Sequence, residues 1–413
     1  MEIYDISAPK VLNNTINLPA SKSISNRALI LSALSGGKHI PENLSDCDDT
    51  EVMIAAMRDM PYEIDIKAGG TAMRFMTAFL SVTAGEHVIT GTERMKQRPI
   101  GILVDSLRAL GADIEYLGEE GYPPLLVRGR RLSGGNLQIE GNVSSQFISA
   151  LLMIGPTMEK ELSLQLTDDI ISRPYIDLTL GMMRDYGVRP MWTGVDTISV
   201  APSVYEAQPY FIESDWSAAS YWYEIMALTS DPDAEIRLTG LMDGSSQGDT
   251  IVKYVFSLLG VKTVFEDTTK GVPTRVTLRR SGRTIPQLRF DFTGCPDLAQ
   301  TVVCTCCGMG MPFDFTGLST LKIKETDRIV ALKNELRKLG YVIKDKNDSE
   351  LMWDGERCEP SSEPVETYDD HRMAMAFAPL AMKIQGLRIS NPQVVSKSYP
   401  NYWEDLKSCG FTL

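Results

Sequence analysis

The chain has 413 residues, about twice what one ordinary core supports, so two domains are expected. With 43% hydrophobic and 23% charged residues its composition is globular, and no apolar run approaches the roughly 20 residues that span a bilayer. A formal net charge of −13 speaks against a general binder of nucleic acid or membrane surfaces, so any anionic ligand must be drawn by a local basic site.

The opening segment, MEIYDISAPKVLNN, has no basic stretch followed by an apolar core. It does not read as a signal peptide, and the expected compartment is the cytoplasm. Along the chain, SNRALILSAL, GTAMRFMTAFL, SSQFISALLM, DWSAASYWYEIM, PDLAQTVVCTC and DHRMAMAFAPLAM are apolar nearly all round, which predicts buried helices. Amphipathic helices alternate with them. The first, TEVMIAAMRDMPYEI, stops near Met60 at Pro61. The next five are IGILVDSLRALGADI, YIDLTLGMMRDYGVRP, DTIVKYVFSLLGVKTV, DRIVALKNELRKLGYVI and NYWEDLKSCGFTL. They reach Gly111, Gly187, Gly260, Gly340 and Gly410, at spacings of 76, 73, 80 and 70 residues. Glycine there suits a helix C-cap, where a left-handed residue turns the chain into the β-branched run that follows.

Six helix-to-strand units at a near-constant period predict a repeat fold, with three units in each of two α/β domains. The first interval is only about 50 residues, so the first unit is expected to lack about two dozen. Seven cysteines are irregularly placed, with Cys304, Cys306 and Cys307 crowded together, and read as reduced thiols. No second paired-cysteine or His-x-His element accompanies that cluster, and His39, His87 and His371 are scattered, so no metal is expected.

The polar residues of interest stand at the starts of the buried helices. Ser21-Lys22-Ser23 precedes Arg27, Gly69-Gly70-Thr71 precedes Arg74, and Ser144-Ser145-Gln146 opens FISALLM. Pro296-Asp297 and Asp370-His371-Arg372 open two more. A helix start offers free N–H groups and a partial positive charge, which suits phosphate and carboxylate. In any single case an ordinary N-cap explains the same residue, whereas five together favour an anion pocket completed by Lys and Arg. RMKQRPIG, KIKETDR and VVSKSYPNYW also stand out. KETDR places Lys324, Glu325 and Arg328 within one turn, which fits either a surface helix with ion pairs or a carboxylate held among cations for acid–base work.

LPASKSISNRALILSAL, TERMKQRPIG, GNVSSQFISALLM, SRPYIDLTL, CPDLAQTV, KIKETDRI, TYDDHRMAMAF and SKSYPNYW occur in an order that resembles the 5-enolpyruvylshikimate-3-phosphate synthase family along essentially the whole chain. The resemblance implies the two-domain enolpyruvyl-transferase fold, each domain three βαβαββ units around buried parallel helices. It implies that residues 1–18 and 245–413 form one domain and 19–244 the other, with the second crossover near Asp243 to Gln247 and the active site in the cleft between them. It also implies transfer of the enolpyruvyl group of phosphoenolpyruvate to the 5-hydroxyl of shikimate 3-phosphate, with no cofactor and the chain acting as a monomer.

Matched position by position, the resemblance puts Lys22, Ser23, Arg27, Ser144, Ser145, Gln146, Ser172, Tyr175, Asp297 and Lys324 around shikimate 3-phosphate. It puts Lys22, Gly70, Arg98, Gln146, Arg328, Arg372 and Lys397 around phosphoenolpyruvate. Asp297 would be the base, Glu325 the proton donor, and Lys22 and Lys397 would stabilise the departing phosphate. The chain departs from the family pattern at Ala68, where an asparagine is usual, at Phe75, where proline is common, and at Thr320, where asparagine is frequent. Two other readings compete: a non-catalytic anion-binding relative, and enolpyruvyl transfer to UDP-N-acetylglucosamine. The latter relies on a loop cysteine, and none lies between Cys47 and Cys295.

Overall fold

The computed structural model describes residues 2–413. The chain opens on strands β1 (Ile3–Ile6) and β2 (Asn13–Asn17), followed by helices α1 (Lys22–Leu34) and α2 (Asp48–Asp59). Next come β3 (Glu63–Asp65), α3 (Gly70–Val82), β4 (Gly85–Thr90), the short α4 (Glu93–Lys96), α5 (Gly101–Ala109), β5 (Asp113–Tyr116) and β6 (Leu125–Gly129). A third stretch holds β7 (Gly135–Glu140), α6 (Ser145–Ile154), β8 (Leu162–Thr167), α7 (Arg173–Asp185), β9 (Met191–Trp192) and β10 (Thr197–Val200). It is followed by α8 (Trp216–Leu228), β11 (Glu235–Met242), α9 (Val252–Leu258), β12 (Val261–Phe265) and β13 (Pro273–Arg280). Then come β14 (Leu288–Asp291), α10 (Ala299–Met309), β15 (Phe313–Thr316), α11 (Arg328–Lys338), β16 (Lys344–Lys346) and β17 (Glu350–Trp353). The last elements are α12 (His371–Phe377), β18 (Leu387–Ser390) and α13 (Tyr402–Ser408).

Four sheets share one strand order: β3-β4-β6-β5, β7-β8-β10-β9, β2-β11-β13-β12 and β14-β15-β17-β16. In each, the first two strands are parallel and follow one another through a buried helix, except that between β2 and β11 the other unit is inserted before α8, and the last two add as an antiparallel pair. A parallel pair needs such a crossover, whereas the closing pair needs only a short turn. A fifth copy is assembled from both chain ends. Val365 bridges Ile389 in parallel, β18 pairs antiparallel with β1, and Ser7 pairs with Thr412. The first copy keeps α1, α2 and a single parallel bridge between Glu42 and Phe211. The shortfall of about two dozen residues expected there is thus the closing pair of strands, because the chain passes from α2 to β3 across Met60, Pro61 and Tyr62 alone.

The glycines expected to end the amphipathic helices are left-handed, with φ of 102° at Gly111, 82° at Gly187, 88° at Gly260, 89° at Gly340 and 91° at Gly410. Met60 takes the same role after α2 with φ 41°.

The chain divides into two compact units, residues 1–19 with 213–413, and residues 20–212. Each has its own core. In the second unit α1, α3 and α6 pack together beneath the sheets, with Met73, Met76, Ile148 and Leu151 fully buried. In the first unit α8, α10 and α12 do so, with Trp216, Trp222, Val302 and Phe377 buried. The boundary expected at residue 245 is corrected to 213. Residues 213–244 belong with the C-terminal half because β11 pairs with β2 and β13, and α8 packs on α10. Cys304, Cys306 and Cys307 lie inside α10 with at most 1% exposure, and burial pushes their thiols well above the ordinary range. Among the described residues no helix is long and apolar enough to cross a membrane.

Candidate active site

In the unit of residues 20–212, three buried helices present their N-terminal turns with polar residues. Lys22 opens α1, and its ammonium lies 3.3 Å from the Asp49 carboxylate at the start of α2. Asp49 was not among the residues expected at the site. It also borders the glycine turn, since a Cβ on Gly69 would lie 3.3 Å from its Oδ1. Gly70 opens α3 beneath the guanidinium of Arg98, and a Cβ there would stand 2.5 Å from Arg98 Nη1. Arg74, one turn along α3, donates to the carbonyls of Gly70 (3.0 Å) and Pro99 (3.1 Å), tying the glycine turn to the segment that carries Arg98.

Gln146 at the start of α6 donates to Thr71 Oγ1 (3.1 Å), which joins α6 to the same turn. Ser144 caps α6, accepting from the Gln146 N–H at 3.3 Å, and Ser145 follows as its first residue. Ser172 is the left-handed residue before α7, and Tyr175 lies on that helix's first turn.

Arg27, expected near the acceptor, is also tied into the helices around it. It is 2% exposed and donates to Thr179 Oγ1 (2.7 Å), Ser149 Oγ (3.1 Å) and the carbonyls of Ser23 (2.9 Å) and Tyr175 (3.4 Å). Burial pulls its pKa down to about 10. It is a tie between α1, α6 and α7 that places Ser23 and Tyr175. Phe75 is fully buried, and its ring centroid lies 5.2 Å from the Arg27 guanidinium, a cation–π contact that proline could not supply.

The other unit gathers the remaining candidates around Arg328. KETDR does not form a surface helix: Lys324 is extended, Asp327 caps α11, and Arg328 is 1% exposed at the first helical position. Its guanidinium contacts three carboxylates, Asp370 at 2.7 Å, Asp297 at 3.0 Å and Glu325 at 3.0 Å. A buried cation left unpaired would be strongly destabilising, and these partners hold it fully charged. Asp297 in turn meets Lys324 at 3.5 Å and Arg372 at 3.3 Å, while Glu325 meets Lys397 at 3.2 Å. Burial would raise the Asp297 carboxyl, but Arg372, Lys324 and Arg328 outweigh it and keep it well below the usual carboxylate range.

Asp370 caps α12 through the Arg372 N–H (2.9 Å), so the ordinary capping role and the ionic one coincide in one side chain. Gln300, with its amide turned to satisfy both neighbours, accepts from Arg328 Nε (3.0 Å) and donates to the Asp297 carbonyl (3.2 Å). Three residues from Asp297 in sequence, it shares the same helix face, a spacing that was readable. Asp249 was also unexpected. It is 1% exposed, accepts from the Ser217 hydroxyl, and burial raises its pKa to about 6 against the pull of Arg372. Thr320 is buried, and its hydroxyl has no hydrogen-bond partner among the described residues.

Each unit therefore carries its own anion-ready cluster. Lys22, Gly70, Ser144, Ser145 and Gln146 stand at helix starts in one, with the Arg98 guanidinium over Gly70. In the other, four cations, Lys324, Arg328, Arg372 and Lys397, face the three carboxylates Asp297, Glu325 and Asp370.

The family model for EPSP synthase (3-phosphoshikimate 1-carboxyvinyltransferase) matches residues 6–65 and 58–406. The two matched stretches overlap at residues 58–65, where α2 passes to β3 without its closing strands. A curated relative from Bacteroides fragilis, 3-phosphoshikimate 1-carboxyvinyltransferase, is 57% identical over 409 residues, covering 99% of this chain and 98% of its own. One from Aliivibrio fischeri with the same name is 34% identical over 435 residues, covering 98% and 99%. Among solved structures, EPSP synthase from Acinetobacter baumannii superposes with a TM-score of 0.78 at 20% identity, covering 99% of this chain and 98% of that one. The enolpyruvyl transferase NikO from Streptomyces tendae superposes at 0.71 with 14% identity and the same coverage.

Proposed function

We infer the roles of these residues from one premise: the chain belongs to the EPSP synthase family, the 3-phosphoshikimate 1-carboxyvinyltransferases. It is a transferase that moves the enolpyruvyl group of phosphoenolpyruvate to shikimate 3-phosphate, a step of aromatic amino-acid biosynthesis. Both substrates are anions, and the protein carries a net charge of −13, so local cation clusters must do the attracting. Lys22, Arg98, Arg328, Arg372 and Lys397 are assigned to the phosphate and carboxylate of phosphoenolpyruvate, with Gly70 and Gln146 contributing at their helix starts. Ser23, Ser144, Ser145, Gln146, Ser172, Tyr175 and Lys324 are assigned to the acceptor. Arg27 is assigned to the acceptor as well, and its hydrogen bonds to the Ser23 and Tyr175 carbonyls support their placement.

In the first step the acceptor hydroxyl oxygen bonds to C2 of phosphoenolpyruvate as Asp297 takes the hydroxyl proton. Glu325 gives a proton to the methylene carbon, which becomes a methyl group, and a tetrahedral intermediate results. In the second step the bond from C2 to the phosphate oxygen breaks with the electron pair going to that oxygen, and a methyl proton returns to Glu325. Phosphate leaves beside Lys22 and Lys397, the proton held by Asp297 passing to it so that both carboxylates return to their starting states. Fixed cations aimed at the phosphate stabilise charge as it develops there.

The observation that carries this reading is Asp297 held among Lys324, Arg328 and Arg372, with Glu325 between Arg328 and Lys397. One carboxylate for each proton transfer thus stands in a shared cation field. Phosphate release by the purified protein, with each substrate omitted in turn, tests it. Both substrates should be required, and Asp297→Ala should lower turnover by about 10²–10⁴. Turnover unchanged in Asp297→Ala removes that residue as the base.

A further inference from the structure

Glu335 lies on α11, two turns beyond Arg328, and is fully buried. Its carboxylate is nonetheless saturated. Oε2 meets Lys338 at 2.7 Å and accepts the Glu366 N–H at 2.9 Å, and Oε1 accepts the Tyr368 hydroxyl at 2.6 Å. Two of these three donors belong to the strap that leads from Val365 to α12. In that strap Tyr368 and Asp369 are both left-handed, each with φ 54°, and neither is glycine. Consecutive residues in this region persist only where surrounding contacts over-determine them. The strap delivers Asp370, which grips Arg328 Nε and Nη2 at 2.7 and 3.1 Å, and Arg372, which reaches Asp297.

We propose that Glu335 is a positioning residue for the transfer: by anchoring the 366–369 strap in its left-handed path, it sets the Asp370–Arg328 pair and aims Arg372. An ion pair with Lys338 alone would not require burial, since Lys338 is partly exposed and such i,i+3 pairs form readily on helix surfaces. A buried carboxylate is retained where its hydrogen bonds hold something in place, and here two of them hold the strap. The proposal rests on the reading that Arg328 and Arg372 bind phosphoenolpyruvate.

The test uses the full chain and steady-state kinetics in both substrates, with melting temperature measured in parallel. Tyr368→Phe removes one hydroxyl from a 38%-exposed side chain, so it is expected to fold; Glu335→Gln keeps one acceptor and Glu335→Ala keeps none. KM for phosphoenolpyruvate should rise by about tenfold in Tyr368→Phe, the scale of one lost hydrogen bond to a charged group. It should rise further in Glu335→Ala and fall between in Glu335→Gln, with KM for the acceptor much less affected. The Tyr368→Phe effect should shrink when Arg372 is already alanine, leaving only the part carried through Arg328. An unchanged KM for phosphoenolpyruvate in folded Tyr368→Phe and Glu335→Gln overturns the inference, as does an equal loss in the Arg372→Ala background. If Arg372→Ala alone leaves that KM unchanged, the binding assignment itself fails and the inference goes with it.

Discussion

Lys324, Arg328 and Arg372 stand 3.0 to 3.5 Å from Asp297 and keep it ionised, which favours accepting a hydrogen bond but weakens it as a base. Anionic ligands that take up part of that cation field would raise the proton affinity of Asp297, as the role of base proposed for it requires. On the other unit, Gly70 gives the Arg98 guanidinium its seat. Gly70→Ala would push that head group aside, because the new methyl would fall 2.5 Å from Nη1. KM for phosphoenolpyruvate should rise by about tenfold or more with little change in melting temperature, since the displaced atoms end a flexible side chain. An unaltered KM would show that Arg98 does not serve that ligand. Glu213 behaves oppositely to Asp297. Burial raises it to about 7, although the Ser245 hydroxyl donates to it at 2.6 Å. The folded chain therefore holds a proton that the unfolded chain releases above pH about 4.5. That contribution to stability is present below about 4.5 and is lost as pH climbs through about 7, on the order of 3 kcal/mol in all. Glu213→Gln should flatten the fall in melting temperature across that same window. An unchanged slope in the variant would assign the proton uptake elsewhere.

At the scale of elements, much of the fold was legible because helix ends obey local rules. The period of the amphipathic helices and the glycines that end them revealed the repeat, and every one of those glycines is left-handed. The second domain boundary was not legible. Pairing of β11 with β2 joins residues more than 200 positions apart, and no local signal in 213–244 announces it. KETDR misled in part for a similar reason. Its charge spacing suits a surface helix, but burial of Arg328 depends on Asp370, 42 residues later. Residue types at helix starts singled out Asp297, Lys22 and Gly70. Asp49 and Asp249 escaped, because an acid in the first turn of a helix is ordinary. The C-cap glycines also yield a paired test. Gly111 is left-handed in open surroundings, where a Cβ would find its nearest neighbour 4.0 Å away, whereas at Gly340 a Cβ would lie 3.0 Å from the Cys358 carbonyl. Gly111→Ala should cost about 1–2 kcal/mol through backbone strain alone. Gly340→Ala should cost more, and each kcal/mol lowers the melting temperature by about 2–4 °C in a unit of this size. Equal losses would mean that the Cys358 contact relaxes freely.

At the scale of the whole molecule, the two units each carry a closed set of sheets and a separate core, although the chain passes through one of them in two pieces. The two ends of the interruption are held together inside the first unit, where the Asp215 N–H donates to the Pro19 carbonyl at 2.9 Å. The inserted unit ties down its own C-terminal end: the Glu42 N–H donates to the Tyr210 carbonyl (2.8 Å), and the Glu42 carbonyl accepts from the Ile212 N–H (3.0 Å). Residues 20–212, roughly 190 in number, lie within the ordinary size of an independent domain. Expressed alone, they should therefore fold, giving helical circular dichroism and one cooperative thermal transition. Residues 1–19 joined to 213–413 by a short flexible linker should fold too, because the hydrogen bond from Asp215 to Pro19 leaves almost no gap to span. Function divides differently. Most residues assigned to shikimate 3-phosphate lie in 20–212, so that piece should retain weak acceptor binding measurable by calorimetry. Asp297 and Glu325 lie in the other piece, so neither alone should release phosphate from phosphoenolpyruvate. A non-cooperative melt for 20–212 would show that its core depends on the rest of the chain, and turnover by either piece alone would overturn the division of roles.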